Sequence, residues 1–89
     1  MQNSGNTIMK MTMTRSVKGR IRYYTIELIP NLFSEWMVVR TYGSIKKLKP
    51  TGVISEIYDS AETAAESMQS LICAKLKKGY TNRCALNNG

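Results

Sequence analysis

The chain has 89 residues, of which 43% are hydrophobic, enough for one small domain with a modest core. Thirteen lysine and arginine residues against six acidic ones give a net charge of +7, which favours a polyanionic partner: DNA, RNA, an anionic surface or an acidic protein. Histidine is absent and only two cysteines occur, so neither a zinc site nor histidine-based catalysis is expected. We expect no cofactor.

No apolar run approaches the roughly 20 residues that cross a bilayer. Residues 1–6 are polar and carry no secretory signal. We therefore expect a cytoplasmic protein with no membrane partner, and Cys73 and Cys84 as free thiols. The expected organisation is a disordered leader over residues 1–6, one domain over residues 7–80 and a flexible tail over residues 81–89.

Segments of alternating apolar and polar residues predict β-strands. They cover residues 7–14, 20–29, 36–44 and 53–58. Met9, Met11 and Met13 lie on one side of the first strand, which we expect to contact the core. The basic segment 15–19 predicts a turn. Such short links between strands predict antiparallel hairpins.

The third predicted strand, residues 36–44, divides into two faces. Met37, Val39 and Thr41 form an uncharged face, which we expect to contact the core. The opposite face has an arginine beside aromatic residues, so we expect it to be open in part to solvent or to a partner. That face consists of Trp36, Val38, Arg40 and Tyr42.

The last predicted element is a helix. Asp59 or Ser60 can cap its first turn, and apolar residues follow at helical spacing. Acidic residues near its start and lysines near its end complement the helix dipole, so these lysines need no binding role. Gly79 is a natural C′ residue. The fold predicted is α+β, an antiparallel sheet of about four strands with one C-terminal helix packed on one face.

The segment Arg40-Thr41-Tyr42-Gly43-Ser44-Ile45 resembles the signature of the WGR domain, Arg-x-Trp-Gly-Arg followed by an aliphatic residue. Upstream, Tyr23-Tyr24-Thr25-Ile26-Glu27-Leu28 is similar to the paired-aromatic strand of that family. Residues 60–80 are similar to its closing helix, including a terminal Gly-aromatic pair. The resemblance spans residues 9–80. Tyr42 stands where the family has Trp, and Ser44 stands where it has Arg.

The resemblance implies a non-enzymatic module, similar to bacterial proteins that consist of little more than this domain and to the WGR domain of poly(ADP-ribose) polymerases. In those polymerases the motif Trp packs on the sugar of a terminal nucleotide at a DNA strand break, and the motif Arg makes a charged contact. By position, Tyr42 would take the first role with a smaller ring. Ser44 cannot take the second, for which Lys46 or Lys47 is a candidate.

Basic and aromatic residues on adjacent strands predict a DNA-binding surface that is salt-sensitive and tolerant of sequence. DNA is favoured over RNA. The predicted site residues are Arg20, Arg22, Arg40, Tyr42, Ser44, Lys46, Lys47 and Lys49. For the lysines at positions 46–49, a solvated hairpin tip is an equally good interpretation.

The alternative is a protein-interaction or regulatory module that binds an acidic protein or a second copy of itself. It rests on Tyr23, Trp36 and Tyr58 as exposed anchors, because Trp and Tyr are favoured at protein interfaces. For Trp36 alone, a role in covering the sheet is the better interpretation. The oligomeric state expected is a monomer.

Overall fold

The computed structural model describes residues 7–82, which form one antiparallel sheet with a helix on one face. Its elements in chain order are β1 (Met9–Val17), β2 (Arg20–Pro30), β3 (Trp36–Ser44), β4 (Gly52–Tyr58), α1 (Ala61–Lys77) and β5 (Thr81–Asn82). Across the sheet the order is β4-β3-β2-β1-β5. The α+β prediction is confirmed, and the structure adds β5 to the four expected strands.

The predicted tail therefore begins inside the sheet, because Thr81 and Asn82 pair with Thr14 and Met13 of β1. The predicted leader, residues 1–6, lies outside the described residues. So do residues 83–89, which include Cys84. Within the described part of the chain, no helix has the length and hydrophobicity needed to cross a membrane.

The β1–β2 hairpin is tighter than predicted. Its turn is Lys18 and Gly19 alone, with φ angles of 52° and 81°. Two positive φ angles in succession suit a two-residue hairpin, because their twist matches that of the flanking strands. The basic turn predicted over residues 15–19 was therefore too long. Arg15 lies within β1, directly opposite Arg22 of β2.

The core lies between the sheet and α1. It consists of Met13, Tyr24, Ile26, Leu28, Val38, Ala64, Met68 and Ile72. Alternate residues of β2 and helically spaced residues of α1 contribute to it, as their patterns predict. Ser60 caps the helix by accepting a hydrogen bond from the Thr63 amide at 3.2 Å. Gly79 has a φ angle of 102°, which fits its predicted place after the helix C-terminus.

The two faces of β3 are the reverse of the prediction. Val38 is fully buried beneath α1, and the partly buried Trp36 and Tyr42 pack against the core. The uncharged face predicted to enter the core lies on the helix-free side of the sheet. The register explains this, because Val38 pairs with the core residue Leu28.

The core side accepts the charge of Arg40 because that charge is neutralised locally. Arg40 Nη2 lies 3.2 Å from Glu56 Oε1 of β4, and only 19% of the Arg40 side chain is exposed. The sequence prediction took this arginine as a sign that its face is open in part to solvent or to a partner. In the structure its stem is packed and its charge is paired, so the aromatic residues beside it can join the core side.

Charges are separated between the two ends of the sheet. We call one end, with the β2–β3 turn and the start of α1, the acidic end; it carries Glu35, Asp59, Glu62 and Glu66. The opposite end, which we call the basic end, has the β1–β2 turn, the β3–β4 loop and the end of α1. It carries Arg15, Lys18, Arg20, Arg22, Lys46, Lys47, Lys49, Lys75, Lys77 and Lys78.

Candidate functional site

Two adjacent cavities open at the basic end. The larger is about 320 Å³ and is lined by Arg22, Tyr23, Tyr24, Arg40, Tyr42, Gly43, Thr51, Ile54, Lys75 and Tyr80. The smaller is about 100 Å³ and is lined by Arg20, Arg22, Ser44, Lys47 and Thr51. Arg22 and Thr51 belong to both. No acidic side chain is among these lining residues, so the cavities combine positive charge with aromatic surface.

The strand register brings the arginines together. Arg20 and Arg22 alternate with Ile21 on β2, so both lie on the same side of the sheet as the buried Tyr24. Antiparallel pairing then places Ser44 of β3 directly opposite Arg22. Two guanidinium groups and a hydroxyl group therefore line one small cleft.

The β3–β4 loop contributes Lys47 to the same cleft. Backbone hydrogen bonds fix its base: Ile45 N to Ile21 O, Lys47 N to Ser44 O, and Thr51 N to Tyr42 O, at 3.0, 3.0 and 2.8 Å. Gly43 permits this approach, because a Cβ there would lie 2.9 Å from Thr51 N. Lys46 and Lys49 are exposed on the loop and line neither cavity.

Three tyrosines form a cluster beside this cleft. The rings of Tyr24 and Tyr42 are stacked, with centroids 5.7 Å apart and planes at 12°. Tyr80 meets Tyr24 edge-on at 6.1 Å. A Cβ at Gly52 would lie 2.6 Å from Tyr42 Cζ, so glycine leaves room for the Tyr42 ring. One face of Tyr42 is thus occupied by Tyr24, which leaves a ligand only the rest of the ring.

Lys75 is a cation of this site that the sequence prediction missed. Its Nζ lies 4.2 Å from the Tyr24 ring centroid, a cation–π contact. Burial lowers the pKa of Lys75, and the positive charges of Lys78 and Arg40 lower it further. Lys75 lies on the same face of α1 as the apolar residues Ala64, Met68 and Ile72, and this position indicates contact with the sheet. The sequence prediction did not use it, because the helix dipole was a sufficient explanation for a lysine near the helix C-terminus.

Arg40 also lines the larger cavity. Its Nη2 pairs with Glu56, but its buried Nε has no hydrogen-bond partner among residues 7–82. A buried donor without a partner costs about 1–3 kcal/mol, so an acceptor at this position would be stabilising. Beside Lys75 and Arg22, this donor makes the larger cavity suited to an anionic ligand.

The structure thus brings six of the eight predicted site residues to the two cavities: Arg20, Arg22, Arg40, Tyr42, Ser44 and Lys47. It adds Tyr24, Thr51, Lys75 and Tyr80. By contrast, Trp36 and Tyr58 are not exposed anchors, because both are packed against the core and Tyr58 Oη lies 2.8 Å from Ser67 Oγ. Residues 7–82 contain no group of three or more histidine, cysteine or acidic side chains placed to hold a metal ion.

Comparison with known protein families gives one match. The sequence profile of the WGR domain matches residues 9–87, nearly the whole chain. Neither curated proteins nor solved structures give a significant match. WGR domains are known as nucleic-acid-binding modules, a function for which cavities lined by cations and aromatic rings are suited. On the extent of this match, the chain belongs to the WGR domain family.

Proposed function

We propose that the protein is a non-enzymatic, cytoplasmic module that binds DNA through the two cavities of the basic end and the adjoining loop. The observation that carries this proposal is the convergence of Arg20, Arg22 and Lys47 on one cavity of about 100 Å³. Ser44 and Thr51 add hydroxyl donors to the same cavity. Its size and its donors suit one backbone phosphate.

Arginine is the side chain best matched to such a ligand. Its planar guanidinium presents several N–H donors in a fixed fork, which fits the oxygens of a phosphate. Phosphate contacts also release the counterions condensed on DNA, so each contact makes affinity fall with salt. We therefore infer that phosphate binding by Arg20 and Arg22 supplies most of the affinity.

The larger cavity is suited to the sugar and base next to that phosphate. Tyr42, Tyr80 and Ile54 offer apolar surface, and Arg22 and Lys75 offer positive charge. Arg40 is paired with Glu56 and offers the N–H donor of its Nε. Aromatic rings pack on sugars and bases of any sequence, because every base has a π face. The two cavities share Arg22, so one stretch of backbone can occupy both.

We expect DNA binding to tolerate different base sequences, because α1 lacks the features of a recognition helix. Ala64, Met68 and Ile72 of α1 are buried against the sheet. The exposed face of α1 carries Glu62 and Glu66, which would repel the phosphates of a groove. Contacts to phosphate and sugar set orientation but carry no base sequence. The preference for DNA over RNA rests on the resemblance to domains that act at DNA strand breaks. An acidic protein partner is less well supported, since Trp36 and Tyr58 pack inward.

The test compares two variants that lose the same charge at different places. Arg22→Gln removes the arginine that both cavities share. Lys77→Gln removes a charge from α1 that lines neither of them. Binding to a short blunt DNA duplex, followed by fluorescence anisotropy over a range of salt, should weaken about tenfold for Arg22→Gln, and the salt slope should fall by about one.

Lys77→Gln should change the affinity less than about twofold, because it removes only long-range, screened attraction. Equal losses for the two variants would show that net charge alone drives binding and would contradict this site. Absence of binding by the natural protein at low salt would contradict the proposed function itself.

A further inference from the structure

The tip of the β3–β4 loop presents a leucine to solvent among lysines. Leu48 is fully exposed, and its neighbours in sequence are Lys46, Lys47 and Lys49. A single exposed leucine is ordinary on a protein surface. This one differs in its position, because it projects from the end of the molecule that carries the cationic cavities.

The base of the loop holds Lys47, the residue before Leu48, at the smaller cavity. Backbone hydrogen bonds tie Lys47 N to Ser44 O and Thr51 N to Tyr42 O, one on each side of the tip. Lys47, which precedes Leu48, lines the cavity with Arg20 and Arg22. A phosphate bound in this cavity would therefore place the adjoining bases within reach of Leu48.

We propose that Leu48 is an apolar wedge that enters a base step of bound DNA and partly unstacks it, with the phosphate next to that step in the smaller cavity. This inference rests on the proposed function. Leucine is among the side chains that architectural proteins insert between bases from the minor groove. The flanking lysines would neutralise phosphates on both sides of the opened step.

As a wedge, Leu48 would determine which base steps are preferred, although it would make no contact with the edges of the bases. Pyrimidine–purine steps such as TA unstack most easily, so inserting a side chain there costs the least. The protein should therefore prefer duplexes with a TA step at the bound position. That preference would reflect the deformability of the DNA rather than recognition of base edges.

An anionic membrane is another surface that a lysine-flanked leucine could enter. DNA is favoured because Leu48 is the one apolar side chain among residues 46–49, whereas helices that lie in a membrane surface bury a broad apolar face. The adjacent cavity is also a narrow cleft of converging arginines, which suits the phosphate of a defined backbone. Vesicles of anionic phospholipid are therefore one arm of the test.

The test uses a duplex with 2-aminopurine in a central TA step, since the fluorescence of this base increases when it unstacks. The fluorescence anisotropy of a second label on the duplex measures the affinity of the protein for it. Leu48→Ala should remove most of the fluorescence increase and weaken binding about fivefold, with an unchanged salt slope because no charge is lost. Leu32→Ala is the matched control, since Leu32 is 95% exposed on the β2–β3 turn at the acidic end. It should change neither signal.

The outcomes separate the two proposals. If the natural protein binds DNA without an increase in 2-aminopurine fluorescence, or if Leu48→Ala retains that increase, the wedge is wrong and DNA binding stands. If Leu48→Ala weakens binding to anionic vesicles and leaves DNA binding unchanged, the loop is a membrane contact and the wedge is wrong. If the natural protein does not bind DNA at low salt, both proposals are wrong.

Discussion

The acidic end and the basic end are built from the same strands, but they use their polar groups differently. At the acidic end, the Asn31 side-chain oxygen accepts hydrogen bonds from the amides of Phe33 and Glu35 at 2.8 and 3.0 Å. Asn31 Nδ2 donates to Glu35 Oε1 at 3.1 Å. Glu62 lies in the first turn of α1, where negative charge complements the helix dipole. These groups stabilise the local structure.

Among residues 7–82, the arginines and the lysine that line the smaller cavity of the basic end have no ion-pair partner. Within residues 7–82 the ion pairs are Lys10 with Glu27 and Arg40 with Glu56, and neither includes Arg20, Arg22 or Lys47. The pKa of Lys75 is lowered by burial and, to a smaller extent, by the like charges of Lys78 and Arg40. Polar groups of the acidic end therefore stabilise the local structure, whereas the positive charges of the basic end are left unneutralised within residues 7–82.

A substitution at Gly52 would change the packing of the tyrosines at the basic end without changing its charge. A Cβ there would overlap the Tyr42 ring and force it from its stacked position on Tyr24. Gly52→Ala should lower the free energy of unfolding by about 2 kcal/mol, measured by denaturant titration with Trp36 fluorescence. In a Tyr42→Ala background the same substitution should have little effect, since the clash is gone. An equal loss in both backgrounds would contradict this explanation.

The loop lysines test how far the basic end extends beyond the cavities. Replacing Lys46, Lys47 and Lys49 together with Gln should weaken DNA binding about tenfold and reduce the salt slope by as much as three. Unchanged affinity would remove the loop from the binding surface and leave its lysines with the role of keeping a hairpin tip solvated. Anisotropy titrations at several salt concentrations measure both quantities.

The smallest expected effect is a pH dependence of the free energy of unfolding that arises from the titration of Lys75. Because its pKa is lowered in the folded protein, folded Lys75 loses its proton at a lower pH than unfolded Lys75 does. The free energy of unfolding should therefore rise with pH between the lowered pKa and the ordinary value of 10.5, and Lys75→Met should abolish that rise.

A bound polyanion should reverse this shift. Phosphate near Lys75 stabilises the charged form, so DNA should raise its pKa, which NMR of the labelled side chain can follow. A pKa that is the same with and without DNA would place Lys75 outside the binding surface.

Much of the fold could be predicted from the sequence because its patterns are strong. The alternation in β2 identifies the face on which Ile26 is buried. The helical stripe in α1 identifies the face on which Met68 is buried. The faces of β3 could not be assigned in this way, since both contain apolar residues and the decision turned on Arg40. Its ion pair with Glu56 depends on strand order, which is a property of the tertiary structure.

Candidate site residues that lie on a single strand could be predicted from the sequence. Residues that are brought to the site from another element could not. Arg20 and Arg22 alternate on one strand, and Tyr42 and Ser44 on the next, so their shared side follows from the pattern. The contribution of Lys75 depends on where α1 ends above Tyr24. No local pattern specifies that contact, and the helix dipole gave a sufficient local explanation for the lysine.

NMR can map where DNA contacts the protein. The isotopically labelled chain would be titrated with a short blunt duplex at low and near-physiological salt, with backbone amide shifts followed by NMR. We predict shifts over residues 20–24, 40–51 and 75–80 that shrink as salt rises, with little change over residues 31–35 and 59–66. Shifts centred on the acidic end, or none even at low salt, would contradict this prediction.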